Sequence, residues 1–88
     1  MVDLAKMYYL NKDYKKSFYW FQNAAGNGDL FSQASIGIMY SQGQGVEKSI
    51  SNSLQCLKAA SERGNNYAKG HLSWVILSTV QYILQSNS

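Results

Sequence analysis

Shifted by 36 residues, the chain falls on itself: "WFQNAAGNG" at 20–28 lies over "CLKAASERG" at 56–64, so that Gly28 meets Gly64, Ala24 meets Ala60, and Trp20 and Phe21 meet Cys56 and Leu57. A second element recurs ahead of it: "LAKMY" at 4–8 resembles "IGIMY" at 36–40 at an offset of 32, and "LSWVI" at 72–76 lies 36 further on. The difference of four residues is an insertion in one connecting loop. A period near 36 with two helical patterns in each copy is the signature of a helical solenoid, whose units bury their apolar faces only by stacking on neighbours.

The insertion is "QGQGV" at 42–46, which the first copy replaces by a tighter turn through "LNKDYKK". Gly43 and Gly45 therefore belong between two helices, where glycine permits positive φ and ends a helix. A phosphate-binding loop would need a preceding strand and a longer glycine pattern. The periodicity predicts helices over about 2–10, 13–26, 29–42, 47–62 and 66–85, and the chain has no proline to interrupt them. Along the first and third, Leu4, Met7 and Tyr8 match Ile36, Met39 and Tyr40 as core-facing residues. Ser17, Trp20, Phe21, Ala24 and Ala25 form the matching stripe on the second, with Trp20 expected to be a core aromatic whose removal costs about 3–5 kcal/mol.

The expected fold class is all-α: an α-solenoid of antiparallel helix hairpins with about five helices in one domain, residues 1–88. It divides into repeat one at 2–28, repeat two at 29–64, and a half repeat with a terminal helix at 65–86.

Charge and composition narrow the function. The net charge is +3, but the basic residues are scattered and only Lys15 and Lys16 adjoin, whereas nucleic-acid binding calls for a denser stripe. A lone cysteine forms no internal disulfide, so no oxidising compartment is implied. "MVDLAKMYYLNKDYKK" lacks the basic start and apolar run of a signal peptide, and "LSWVILSTVQYIL" is too short and too interrupted to cross a bilayer. The expectation is a cytoplasmic protein that does not engage a membrane.

"IGIMYSQGQGV" and "WFQNAAGNGDLFSQASIG" resemble the Sel-one-like repeat, a relative of the tetratricopeptide repeat. Its pattern runs through Leu-Gly, a Tyr, a Gly-x-Gly-Val turn, Trp-Tyr, and Lys-Ala-Ala followed by Gly. The resemblance covers nearly the whole chain, as about two and a half repeats. It departs where repeat one lacks the Gly-x-Gly-Val turn, where Cys56 stands for tryptophan, and where Ser73 replaces the glycine after Leu72. The family implies right-handed superhelical stacking and binding of other proteins.

Catalysis needs converging titratable groups, and the chain has one histidine and one cysteine. Cys56 occupies the register position of Trp20 and reads as a small hydrophobe. Together with His71 it cannot complete the four ligands of a structural zinc. No enzyme activity, metal or cofactor is expected.

Solenoids of this kind bind partners on the concave face of their first helices. Registering those helices gives the ladders Asp3, Ser35, His71; Lys6, Ile38, Trp74; and Leu10, Gln42, Ser78. The partner-binding residues expected from these ladders and from the aromatic side of the last helix are Lys6, Ser35, Ile38, Gln42, Tyr67, His71, Trp74, Ser78 and Tyr82. The last helix also carries an apolar arc of Ala68, Leu72, Val75, Ile76, Thr79, Val80, Ile83 and Leu84, wider than one neighbouring helix covers. Leu77, Val80 and Leu84 on its flank are candidates for a homodimer or docking surface.

The resulting expectation is a non-catalytic protein-binding module. In its sharpest form, drawn from the family resemblance, it is a small bacterial immunity protein that inhibits a cognate toxin with an acidic surface. An adaptor or scaffold fragment of a larger array is the alternative, and an RNA-binding module is the least supported reading.

Overall fold

Each interhelical turn ends on a side chain that accepts an otherwise unpaired amide of the helix that follows. Asp29 accepts from the Ser32 N–H at 2.7 Å, Ser49 from Asn52 at 3.1 Å, and Asn65 from Ala68 at 3.1 Å, while Asp13 reaches Lys16 at 3.5 Å. The computed structural model describes residues 2–86. The first helix is α1 (Val2–Leu10); the helices so capped are α2 (Tyr14–Gly26), α3 (Leu30–Gln42), α4 (Ile50–Glu62) and α5 (Asn66–Ser86), and no strand occurs among the described residues.

These limits agree with the periodicity to within a residue except at α4, which begins at Ile50 rather than 47. Ser49 is extended, with φ −148° and ψ 104°, and its hydroxyl serves as the cap, so Glu47 and Lys48 remain in the loop. Asn65 has a second role: its amide donates to the Leu30 carbonyl at 2.7 Å, tying the start of α5 to the start of α3.

Successive helices pack in antiparallel hairpins, and α3 touches α2, α4 and α5. The all-α repeat solenoid is the fold. Central placement explains why α3 is built of small residues all round: Ser32, Ala34, Ser35, Gly37 and Ser41 are buried beside Ile36 and Met39. A helix covered on both sides has no polar face to offer. It contributes to both core clusters: Ala5, Phe18, Phe21, Ile36 and Met39 form the first, and Ala34, Leu57, Ala60, Ala68 and Val75 the second.

Two core assignments made from spacing change here. Trp20 is only partly buried, packing on the margin of the first cluster and stacking on Tyr19, while Phe18 and Phe21 fill the interior. Met7 is 48% exposed, and Ala5 and Tyr9 take its place on the inner side of α1. Leu4 and Met7 share a helical face by spacing, but α1 is covered by only one following helix, which reaches the Ala5 side.

Helices α3 and α4 approach closely at Gly37. A Cβ there would sit 2.7 Å from Leu57 Cγ and 2.9 Å from Leu57 Cδ2. Leu57 is fully buried and has nowhere to move. Replacing a mid-helix glycine by alanine ordinarily stabilises by up to about 1 kcal/mol. Overpacking costs about 1–3 kcal/mol and opposes it. The expected outcome for Gly37→Ala is a net loss of about 1 kcal/mol, read as a melting temperature roughly 4–8 °C lower; a variant that melts higher than wild type would show that the crossing is looser than this.

Candidate partner-binding groove

Helices α1, α3 and α5 share one face, and a continuous run of ring contacts crosses it. Lys6 Nζ on α1 lies 4.6 Å from the centroid of the Phe31 ring on α3. Phe31 stacks on Tyr67 of α5, with centroids 5.8 Å and planes 18° apart, and His71 stands edge-on to Tyr67 at 4.6 Å. Beneath them Phe21 tilts against Phe31 at 6.1 Å and connects the run to the core. The outer rings remain open to solvent: Phe31 is 40% and Tyr67 48% exposed. Contacts of this kind contribute about 0.5–1.5 kcal/mol each and hold exposed aromatics in place, which lowers the ordering cost when a partner lands.

Two hollows open against this run, and a further one lies beside Trp74. One of about 260 Å³ is lined by Lys6, Tyr9, Leu10, Phe21, Phe31, Ser35, Ile38, Met39 and Tyr67. A second, about 440 Å³, lies between Gln42, Asn66, Tyr67, Gly70, His71 and Trp74. A third, about 360 Å³, runs along Ser41, Lys48, Ile50, Trp74, Val75, Ser78, Thr79 and Tyr82.

The structure brings together most residues that the register singles out, in a different grouping. Lys6, Ser35, Ile38 and Tyr67 share the first hollow; Gln42, Tyr67, His71 and Trp74 the second; Trp74, Ser78 and Tyr82 the third. Two of them also have structural duties. Ile38 is partly buried against the second core cluster, which supplies the intramolecular reason for an apolar residue there. Ser35 is buried, and its hydroxyl donates to the Phe31 carbonyl at 2.9 Å.

Phe31 is the central residue that register reasoning missed. It lies before the "IGIMY" segment on which the helices were aligned, yet carrying the 36-residue shift back by a few positions sets Phe31 on Tyr67. An aromatic recurring outside the repeat's core positions was the signal.

On α5 only Ala68 and Val75 are fully buried, with Leu72 partly buried. Thr79 is also partly buried, but the rest of the predicted arc is uncovered, because α4 is shorter than α5: Ile76 is 48%, Val80 46%, Ile83 53% and Leu84 65% exposed, as is Leu77 on its flank at 57%. Cys56 is partly buried against the first cluster, and burial raises its thiol pKa above the ordinary value. His71 is engaged with Tyr67 instead. Among the described residues, no three His, Cys, Asp or Glu side chains gather where they could hold a metal, and no helix is long and apolar enough to cross a membrane.

Hairpins stacked so that alternate helices line one groove define a helical-repeat scaffold. Sel1 repeats match residues 1–29 and 30–65, and the chain belongs to the Sel1 repeat family, whose repeats are protein-interaction modules. A segment of a Rattus norvegicus protein, DAP3-binding cell death enhancer 1, is 33% identical over 60 residues. That segment is 68% of this chain but 12% of the rat protein, so the chain spans a small part of the relative it matches. No solved structure shows a significant match.

Proposed function

We propose that this chain is a non-catalytic protein-binding module, cytoplasmic in location, whose partner docks on the α1–α3–α5 groove. The observation that carries the reading is the run of Lys6, Phe31, Tyr67 and His71, in which exposed aromatics from two helices are held rigid with a cation at one end. Aromatic side chains in such settings dominate interface energetics. Repeats at 2–28 and 29–64 supply the first two groove helices, and the half repeat at 65–86 the third.

Its most specific form is a bacterial immunity protein that neutralises a toxin through an acidic surface, for which the positive charge is the supporting feature. A second reading, an adaptor segment of a longer repeat array, is favoured by the uncovered flank of α5 at Leu77, Val80 and Leu84. That flank would take a following helix, or a second copy in a homodimer. The rat relative, whose name describes it as binding another protein, fits the same reading.

The test separates binding from folding. Ile38→Ala would confuse the two because Ile38 supports the core, so the variant of choice is Tyr67→Ala with Trp74→Ala, at positions 48% and 53% exposed. The melting temperature is expected to fall only by the loss of the Tyr67 ring contacts with Phe31 and His71, with helical content unchanged at the assay temperature, while affinity for a partner captured from the source organism's lysate falls roughly thirtyfold or more, the scale of a lost aromatic anchor. Equal capture by the variant would move the interface out of the groove to the flank of α5 at Leu77, Val80 and Leu84.

A further inference from the structure

The first hollow, formed by α1, α3 and α5 over Phe21 of α2, has a chemistry that selects among peptides. Its volume of about 260 Å³ lies below the roughly 300–1,000 Å³ typical of small-molecule sites and suits one inserted side chain. Its walls are largely apolar, from Leu10, Phe21, Ile38 and Met39 with the Phe31 and Tyr67 rings. The charged residue among them is Lys6. Lys6 makes no ion pair among the described residues, and its ammonium is held instead over the Phe31 ring. None of the three hollows has an Asp or Glu in its lining, and Lys48 is the charged residue of another. An unpaired cation at an apolar hollow, with no competing carboxylate in the lining, complements a carboxylate on the incoming chain.

We infer that the groove takes a peptide segment in which a leucine- or phenylalanine-sized side chain is flanked by a carboxylate: the apolar side chain enters between Phe31 and Ile38, and the carboxylate pairs with Lys6. This rests on the groove reading above and specifies the partner's chemistry. The ring of Phe31 places the ammonium in advance, so the pair forms without ordering a free lysine side chain.

The experiment is fluorescence anisotropy with three labelled probes: a heptapeptide with Glu-Leu-Glu at its centre, the same peptide with Lys-Leu-Lys, and a ten-residue oligouridylate. The acidic peptide is expected to bind at least about tenfold more tightly than the basic one, with a preference that shrinks as salt is raised. Lys6→Met, which keeps a side chain of similar length without the charge, should reduce that preference to about threefold or less, with a melting temperature lowered by no more than the lost contact with Phe31, and Lys6→Arg should retain it. Equal binding of the two peptides, or a preference that survives Lys6→Met, overturns the carboxylate inference and leaves the groove intact as a binding surface. If neither peptide binds at millimolar concentration, the groove reading itself fails. If the oligouridylate binds more tightly than the acidic peptide and loses affinity in Lys6→Met, the cation reads phosphate and the peptide assignment is wrong.

Discussion

Gly45→Val is expected to remove most of the stability of the fold although it alters a loop far from the centre of either core cluster. Gly45 has φ +76°, and a Cβ there would run into the Tyr14 carbonyl oxygen and lie 2.9 Å from the Lys15 nitrogen. These are backbone atoms at the start of α2, and they cannot turn aside as a side chain would. The loop is also fixed on either side. The Tyr9 hydroxyl donates to Gln44 Oε1 at 3.1 Å, and Val46 packs on the first core cluster. Strain of about 1–3 kcal/mol from the left-handed backbone adds to a steric cost of similar size, about 4 kcal/mol together. A domain of this size has only about 5 kcal/mol or somewhat more in reserve. Gly43→Ala is the control: φ is +69° there, but the nearest contact is a side-chain atom, Lys48 Cβ at 3.3 Å, so the expected loss is about 1 kcal/mol. Denaturant titration distinguishes the two, and a Gly45→Val variant with a wild-type midpoint would mean that the loop does not clamp the two repeats.

Phe21→Ala carries the second large effect, about 3–5 kcal/mol, the range for deleting a buried aromatic side chain. Phe21 is 3% exposed, sits in the first core cluster, and supports Phe31 from below. Trp20→Ala should cost clearly less despite removing more atoms, because Trp20 is only partly buried at the cluster margin. The order of the two melting temperatures is the decisive measurement; Trp20→Ala melting below Phe21→Ala would place the indole in the core. Phe21→Ala should also loosen the groove, since Phe31 loses the ring beneath it.

Repeat period, helix order and most helix limits were legible in the residues alone, and so was the place of Gly43 and Gly45 between α3 and α4. These properties are local. Capping side chains, the absence of proline and a hydrophobic spacing of 3.6 act within a few residues of where they are written, and a repeat states them more than once. A helical spacing also names a face, but it does not say how far the neighbouring helix reaches across it. That is why Phe21 rather than Trp20 became the core aromatic and why Met7 lies outside. For the same reason Ile38 was legible as an apolar residue on α3 but not as a support of the second cluster. The need for glycine at 45 was fixed by the approach of the α2 backbone, a contact between residues about 30 positions apart in the chain. The groove was decided in the same way. Lys6, Phe31, Tyr67 and His71 are separate marks on three helices, and only the stacking of α1, α3 and α5, set by the small residues of α3 and by Asn65 bridging to Leu30, places one ring against the next.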